Sequence, residues 1–140
     1  MQSPFRKDEP HFSFDGKWLA YTSDESGRYE VYVISFPEAD QKRQISTTGG
    51  SQPRWRQDGK ELYYFATDGK MMAVPMTVSS AAGISSGVPQ ALFDTEVPFV
   101  ANRDQYAVTA DGKRFLILKP LSDAAPTPLT VVLNWSPTLR

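Results

Sequence analysis

The sequence predicts an all-β fold made of a repeated sheet unit, and a turn that recurs along the chain is the main reason. This turn occurs three times, as Asp15-Gly16-Lys17, Asp58-Gly59-Lys60 and Asp111-Gly112-Lys113. Each copy lies between runs of alternating hydrophobic residues, where Asp-Gly is the strongest short-range signal for a β-hairpin because both residues tolerate a positive φ. The copies are 43 residues (15 to 58) and 53 residues (58 to 111) apart, and a four-stranded propeller blade repeats about every 40 to 45 residues. We therefore predict a β-propeller.

The two inner strands of each repeat flank the turn. First strands are expected at Pro10 to Ser13, Pro53 to Arg56 and Tyr106 to Thr109, and second strands at Trp18 to Tyr21, Leu62 to Phe65 and Phe115 to Leu118. Phe12, Trp55 and Val108 share one repeat position, and we expect all three to be buried between neighbouring sheets. The second strands are apolar on both alternating faces, which is typical of a sheet that is covered on both sides.

A third and a fourth strand complete the repeat. Third strands are expected at Tyr29 to Phe36, Met71 to Met76 and Leu129 to Trp135, and outer strands at Arg43 to Ser46 and Gln90 to Phe93. The segment Val78 to Gly87 makes the second repeat longer, is rich in Ser, Ala and Gly, and is predicted to be a mobile surface loop. Gln2 to Phe5 resembles Gln90 to Phe93 and is predicted to be an orphan outer strand.

These strands divide the chain into three blades, a half-propeller. Residues 1–9 are the orphan outer strand and a linker, 10–50 blade one, 51–96 blade two, and 97–140 blade three, which lacks its outer strand. Three blades do not close a ring, because propellers have typically four to eight, and a solitary set would leave two apolar blade faces bare. We therefore predict a homodimer that closes a six-bladed ring. The alternative is that the chain is a piece of a longer protein.

The composition excludes several classes of partner and site. Fifteen basic and sixteen acidic residues give a formal net charge of −1, which provides no basic surface for nucleic acid. The chain has no cysteine, which excludes disulfides, thiolate metal sites and thiol nucleophiles. No apolar run approaches the roughly 20 residues that span a bilayer, and residues 1–8 are too polar for a signal peptide. We expect no nucleic-acid partner and no membrane insertion by this segment.

The repeats also resemble a known family. The run from Pro10 to Tyr21, PHFSFDGKWLAY, is similar to the TolB-type, WD-like β-propeller repeat, whose signature is a Phe-Ser-Pro-Asp-Gly turn followed by a strand. In this chain Phe14, Gln57 and Ala110 replace the proline of that turn. Further runs, among them Gly49 to Arg56, resemble the C-terminal end of bacterial TolB-like propellers on membrane-anchored serine/threonine kinases and related regulators. The resemblance implies a sensory, scaffold or protein-interaction module with an extracytoplasmic or periplasmic location.

The sequence offers little for catalysis. His11 is the only histidine, and no Gly-x-Ser-x-Gly motif accompanies it, so Ser-His-Asp chemistry has no support. One histidine and scattered carboxylates do not make a metal site. The Asp residues of the three turns are expected to be turn formers rather than the paired carboxylates of a glycosidase. We predict that the chain is not an enzyme and binds neither metal nor cofactor.

Candidate binding residues lie on the first strands, which line the channel of a propeller. If Trp55 points into the core, alternation sends Arg54 and Arg56 toward the channel or its rim. Together with His11 and Ser13 they would form a polar ring that binds an anionic group; the alternative is that the arginines form salt bridges to neighbouring blades. Arg28 and Tyr29, at a hairpin tip, are candidates for partner binding, with a solvated loop as the alternative. Trp18 and Trp135 are expected to serve packing.

The predicted function is a non-catalytic protein-interaction or sensory module. It would bind a peptide, a protein segment or a small ligand at the channel mouth. The alternative is an accessory or gating propeller of a hydrolase, or a carbohydrate-active propeller.

Overall fold

The structure consists of antiparallel strands. The computed structural model describes residues 7–79, 83–100, 103–120 and 128–134. Twelve strands occur there: β1 (Lys7–Phe12), β2 (Trp18–Ser23), β3 (Glu30–Ser35), β4 (Lys42–Gln44), β5 (Gly50–Trp55), β6 (Glu61–Ala66), β7 (Lys70–Ser79), β8 (Gly83–Ser86), β9 (Gln90–Asp94), β10 (Tyr106–Val108), β11 (Arg114–Pro120) and β12 (Pro128–Asn134). The all-β class predicted from the sequence is confirmed.

The strands form three successive sheets. The first has the order β1-β2-β3-β4, the second β5-β6-β7 with both β8 and β9 paired to β7, and the third β10-β11-β12. Within the described ranges each strand pairs with a partner close to it in sequence, as hairpins require. The expected orphan strand at Gln2 to Phe5 lies outside the described residues, as does Trp135. The blade boundaries and the number of blades in a ring stay predictions.

Two apolar layers hold the sheets together. β6 contributes to both, because its side chains alternate between its two faces. Leu62 and Tyr64 pack toward the first sheet with Trp18, Val33 and other residues. Tyr63 and Phe65 pack toward the third sheet in a cluster that includes Phe115 and Ile117. The prediction that the second strand of the middle repeat is covered on both faces is confirmed.

The burial expected for Phe12 is wrong. Trp55 is 6% exposed and packs toward the first sheet, whereas Phe12 is 47% exposed. Residues at this repeat position face the preceding sheet, and Val108 packs toward the second sheet accordingly. Phe12 belongs to the first sheet, so no earlier sheet exists in the described residues to cover it. Its ring contacts Phe36 instead, edge to face, with centroids 4.9 Å apart.

The outer face of the first sheet is less bare than expected. Its apolar residues Leu19, Tyr21, Tyr32 and Ile34 are all buried. Lysine side chains lie over the two tyrosines: the ammonium of Lys42 is 5.0 Å from the centroid of Tyr32, and that of Lys7 is 6.0 Å from the centroid of Tyr21. Aliphatic lysine stems cover apolar surface while their charges stay in water, so this face needs less cover from a partner than the sequence suggests.

The segment Val78 to Gly87, predicted to be a mobile loop, forms a hairpin. β7 continues to Ser79 and pairs with β8, with Met76 opposite Ser86 and Val78 opposite Ile84. Ile84 and Met76 are buried in the layer between the first and second sheets, and the Arg43 Nε donates to the Ser86 hydroxyl at 3.1 Å. The prediction failed because the small polar composition of the segment concealed one inward-facing apolar residue, Ile84. We call this element the β7–β8 hairpin.

A chain of side-chain hydrogen bonds joins the three sheets along their inner strands. Glu9, Gln52 and Gln105 occupy the same repeat position, 43 residues (9 to 52) and 53 residues (52 to 105) apart. The carboxylate of Glu9 accepts a hydrogen bond from the backbone N–H of Gln52 at 2.9 Å. The Oε1 of Gln52 accepts in turn from the N–H of Gln105 at 2.6 Å, and its Nε2 donates to Gln105 Oε1 at 3.0 Å. We call this series the inner-strand ladder.

The ladder requires an unusual backbone. Glu9 and Gln52 both have φ of 58°, in a region that costs energy for residues other than glycine, and each lies within a bulge of its strand. The last member, Gln105, bonds within its own segment, because its Oε1 accepts from the Val100 N–H and its Nε2 donates to the Pro98 carbonyl. The repeated strain is therefore offset by hydrogen bonds that position the inner strands.

Replacing Glu9 with glutamine should stabilise the protein at neutral pH. Burial raises the pKa of Glu9, and its Oε1 is buried without a hydrogen-bond partner. A raised pKa means that stability is lost as the pH increases from the unfolded value of about 4.5 through the folded value. Glu9→Gln keeps the acceptor for Gln52 and removes the buried charge. We expect Tm to rise by about 2 °C at pH 7, after allowance for partial exposure, and to stay unchanged near pH 4.

Thermal unfolding at both pH values measures this effect. Glu38→Gln, at an exposed carboxylate in the turn after β3, is the control and should leave Tm unchanged. A lower Tm for Glu9→Gln at pH 7 would show that the ladder needs the negative charge.

Candidate functional site

Arg54 is the centre of a polar cluster on the inner strands. Its guanidinium donates to Asp104 Oδ1 at 2.9 Å and to the Pro53 carbonyl at 2.8 Å. It also lies 5.9 Å from the ring centroid of Tyr106. The pair is asymmetric, since the side chain of Arg54 is 19% exposed and that of Asp104 is 71% exposed. The arginine is thus fixed in place, whereas its acidic partner lies in solvent.

His11 lies on the neighbouring strand, close to Arg54. Its Nδ1 accepts a hydrogen bond from the Trp55 backbone N–H at 3.3 Å, so the proton of the neutral ring is assigned to Nε2. Burial, and then the positive charge of Arg54, lower the pKa of His11. The imidazole is therefore neutral at pH 7.

Two carboxyl groups flank Arg54. Glu9 lies near enough to Asp104 and Arg54 for both charges to affect its pKa, although burial is the largest cause of its upward shift. Burial likewise raises the pKa of Tyr106, whose hydroxyl donates to the Gln52 carbonyl at 2.7 Å. Glu9, His11, Arg54, Asp104 and Tyr106 form what we call the inner-edge cluster. The cluster combines the neutral imidazole of His11, the mostly buried guanidinium of Arg54 and the exposed carboxylate of Asp104.

Ser13 and Arg56, the other two residues expected in the polar ring, hold the Asp-Gly turns. The Ser13 hydroxyl donates to Asp15 Oδ1 at 2.7 Å and accepts from the Trp18 N–H at 3.1 Å. Arg56 donates to Asp58 at 2.8 Å and to Glu61 at 3.2 Å. The structure thus brings His11 and Arg54 together and places Ser13 and Arg56 at the ends of their strands. Arg54 pairs with Asp104 of the third repeat, as in the alternative that the sequence suggested, whereas Arg56 pairs with Asp58 and Glu61 of its own hairpin.

Arg28 and Tyr29 precede β3 at a hairpin tip. The Arg28 Nε donates to Glu30 Oε2 at 2.9 Å, and its guanidinium also bonds the Thr47 carbonyl. Glu30 is buried and accepts further bonds from the Ser46 hydroxyl and the Gly49 N–H. The Arg28 side chain remains more than half exposed. It fastens the hairpin to the loop after β4, and its role in partner binding stays a prediction.

The sequence analysis missed Glu9 and Asp104. Glu9 could have been found, since a carboxylate or carboxamide recurs at its repeat position. The signal at Asp104 is weaker, because Asp8 occupies the equivalent position in the first repeat but Ser51 occupies it in the second, and the contact with Arg54 identifies Asp104.

Two other kinds of site, a metal centre and a membrane-spanning helix, are absent from the described residues. Within residues 7–79, 83–100, 103–120 and 128–134, no three acidic or histidine side chains are grouped to hold a metal ion. In the same ranges there is no helix with the length and apolarity of a membrane span.

Comparison with known proteins gives matches in structure. No protein-family model matches the sequence, and no curated protein matches it. TolB from Acinetobacter baumannii aligns with a TM-score of 0.60 and 20% identity, over 91% of this chain and 32% of that one. Oligogalacturonate lyase from Vibrio parahaemolyticus aligns with a TM-score of 0.59 and 16% identity, over 84% of this chain and 31% of that one. An oligogalacturonate lyase in complex with manganese aligns with a TM-score of 0.59 and 16% identity, over 99% of this chain and 37% of that one.

The prediction that the chain is not an enzyme is wrong as an inference from this fold. Two of the matching structures are oligogalacturonate lyases, which are enzymes. The prediction relied on two missing features: a nucleophile paired with a general base, and a pair of facing carboxylates. Those criteria exclude particular hydrolase mechanisms and do not exclude catalysis on this fold.

The chain spans about a third of the length of the structures that it matches, between 31% and 37%. At these identities the likeness concerns the fold alone. The resemblance predicted from the Asp-Gly repeats is confirmed at that level: the chain has the TolB-like β-propeller fold.

Proposed function

We propose that this propeller segment binds a carboxylate-bearing ligand, in the first place an acidic peptide or protein segment, at the inner-edge cluster. The observation that supports this most is the pairing of Arg54 with Asp104. A cation that is held by the fold faces a carboxylate that solvent already surrounds. The carboxylate of a ligand could take the place of Asp104.

The exchange would cost little. Ion pairs with an exposed partner contribute about 0 to 1 kcal/mol, so releasing Asp104 loses little stability. Arg54 is kept in position by the Pro53 carbonyl and the ring of Tyr106, so the ligand need not order it. A guanidinium can bind a carboxylate through two parallel hydrogen bonds, which adds geometric specificity. A rigid, prepositioned cation therefore favours binding.

A second candidate ligand is an acidic saccharide. Oligogalacturonate, named in two of the matching structures, is a chain of sugars that carry carboxylates, so it offers Arg54 the same group. The neutral imidazole of His11 beside that cation could bond to sugar hydroxyls. This candidate corresponds to the carbohydrate-active alternative considered from the sequence.

We further propose that two copies of the chain complete a ring, in an extracytoplasmic sensory or scaffold role. Support comes from the TolB-like fold and from the half-exposed Phe12 and Phe36 on the first sheet. The buried tyrosines of that sheet reduce the apolar area that a second copy would cover.

Solution mass tests the ring. Light scattering at micromolar concentration should give twice the mass of the 15.6 kDa chain. A mass equal to one chain would exclude closure by a second copy.

Loss of the guanidinium should weaken binding of an acidic peptide. A hydrogen bond to a charged group contributes about 1.5 to 3 kcal/mol, so Arg54→Gln should weaken hexaglutamate binding by roughly tenfold or more. Asp104→Asn removes the internal competitor and should tighten it. Calorimetric titration measures both, with Arg114→Gln, at an exposed arginine of β11, as the matched control. Equal affinity of Arg54→Gln and the unaltered protein would refute the site.

Titration with trigalacturonate distinguishes the saccharide from the peptide, and ultraviolet absorbance of an unsaturated product would reveal lyase activity.

Binding of the acidic peptide should strengthen below pH 6.5. The pKa of His11 is lowered, so the imidazole gains its charge only as the pH falls below the usual value of about 6.5. A second positive charge beside Arg54 should tighten hexaglutamate binding by about two- to fivefold between pH 7.5 and pH 5.5, the scale of a partly exposed ion pair. His11→Gln should reduce this dependence on pH, and what remains is expected from Glu9, whose pKa is raised beside the same arginine. An unchanged pH profile in that variant would assign the effect to another group.

A further inference from the structure

A cleft lies between the first two Asp-Gly turns, away from the inner-edge cluster. Its volume is about 510 Å³, within the range of small-ligand and peptide side-chain pockets. Trp18, Trp55 and Met76, all buried, form the floor, whereas Phe14 and Val78 at the rim are exposed. The cleft thus offers an apolar floor and an apolar rim at one end of two neighbouring sheets.

The β7–β8 hairpin makes this cleft different from the corresponding place between the second and third sheets. Val78, which belongs to the extended part of β7, lines the cleft, and so does Met76 beside it. The hairpin is the insertion that lengthens the second repeat relative to the first. Insertions confined to one repeat often lie on the binding face of repeat proteins. The cleft is therefore a specific feature of this pair of sheets.

The surroundings of the cleft are acidic. Asp15 and Asp58 lie at its edge, and an adjoining cavity of about 650 Å³ shares Asp15 and adds Glu38 and Asp40. Hydrogen bonds from the Lys17 N–H and the Ser13 hydroxyl lower the pKa of Asp15, which keeps it ionised at neutral pH. Four carboxylates thus accompany Lys17 and Lys60, and one of the four, Asp58, is paired with Arg56.

A buried donor in the wall of the cleft lacks a partner. Trp55 lines the cleft and is almost fully buried, and its indole Nε1 has no acceptor in the described part of the chain. An unpaired buried N–H is unfavourable, and a carbonyl brought by a ligand would satisfy it. The side chain that forms the floor therefore also carries a buried donor without an acceptor in the described residues.

We propose that the cleft binds an extended peptide segment in which basic side chains alternate with aliphatic ones. The aliphatic side chains lie on Trp18 and Trp55 and against Val78, the basic ones face Asp15 and its acidic neighbours, and a peptide carbonyl accepts from the Trp55 indole. The site is independent of Arg54 and takes a ligand of opposite charge. Trp18, expected from the sequence to serve packing alone, contributes to a binding surface as well.

Peptide titration with paired turn variants tests the proposal. The probe is fluorescein-labelled Lys-Leu-Lys-Leu amide, with Glu-Leu-Glu-Leu amide as its charge-reversed counterpart. Asp15→Asn keeps the oxygen that accepts from the turn and removes the charge, and it should weaken binding of the basic probe at least threefold. Asp111→Asn makes the same change in the third turn, where Asp111 accepts from Thr109 and Lys113 in the same way, and should leave binding unchanged. Val78→Ser should also weaken it, while Arg54→Gln should have no effect.

A second readout follows the indole directly. In the ¹⁵N-labelled protein, the Nε1–H resonance of Trp55, assigned with Trp55→Phe, should move downfield when the basic probe binds. No binding of the basic probe at millimolar concentration, equal binding of the acidic one, or equal losses for Asp15→Asn and Asp111→Asn would each overturn the proposal. None of these outcomes bears on the hexaglutamate titration, so the two sites can fail separately.

Discussion

The hydrogen bonds of the inner-strand ladder are the constraint on which the arrangement of the three sheets depends. The carboxylate of Glu9 binds the N–H of Gln52, and the carboxamide of Gln52 binds the N–H of Gln105. Apolar layers hold sheets together without fixing their register, since the hydrophobic effect has no direction. The ladder supplies direction, because each bond joins a defined atom of one sheet to a defined atom of the next. The strained φ of Glu9 and Gln52 is the local cost of that alignment.

The inner-edge cluster owes its geometry to the ladder. His11 and Arg54 each follow a ladder residue by two positions, so the bulges at Glu9 and Gln52 determine where the two side chains emerge. A shift of one sheet would move the imidazole away from the guanidinium. The hydrogen bonds that align the sheets therefore also position the side chains of the cluster. A binding site positioned by the fold in this way needs little ordering when a ligand binds.

Much of the fold could be predicted from the sequence, because its determinants are local. Asp-Gly turns and alternating apolar residues act over a few positions, and they located β2, β3 and β6 to within two residues. The errors at Phe12 and at the β7–β8 hairpin concern what covers a side chain, which depends on distant parts of the chain. For the site as well, local sequence signals were predictive and contacts between distant residues were not. Alternation along β5 placed Arg54 toward the inner edge, whereas Asp104 could be recognised only from the three-dimensional contact.

The end of the ladder affects how a further sheet could join. Gln105 is the member whose side chain is engaged within its own segment, through the Val100 N–H and the Pro98 carbonyl. A further sheet that used the Gln105 side chain as the second and third sheets use those of Glu9 and Gln52 would first have to break those hydrogen bonds. Docking and the opening of a short loop would then be coupled, and substitutions near Pro98 could tune the strength of assembly without touching the surface that is covered.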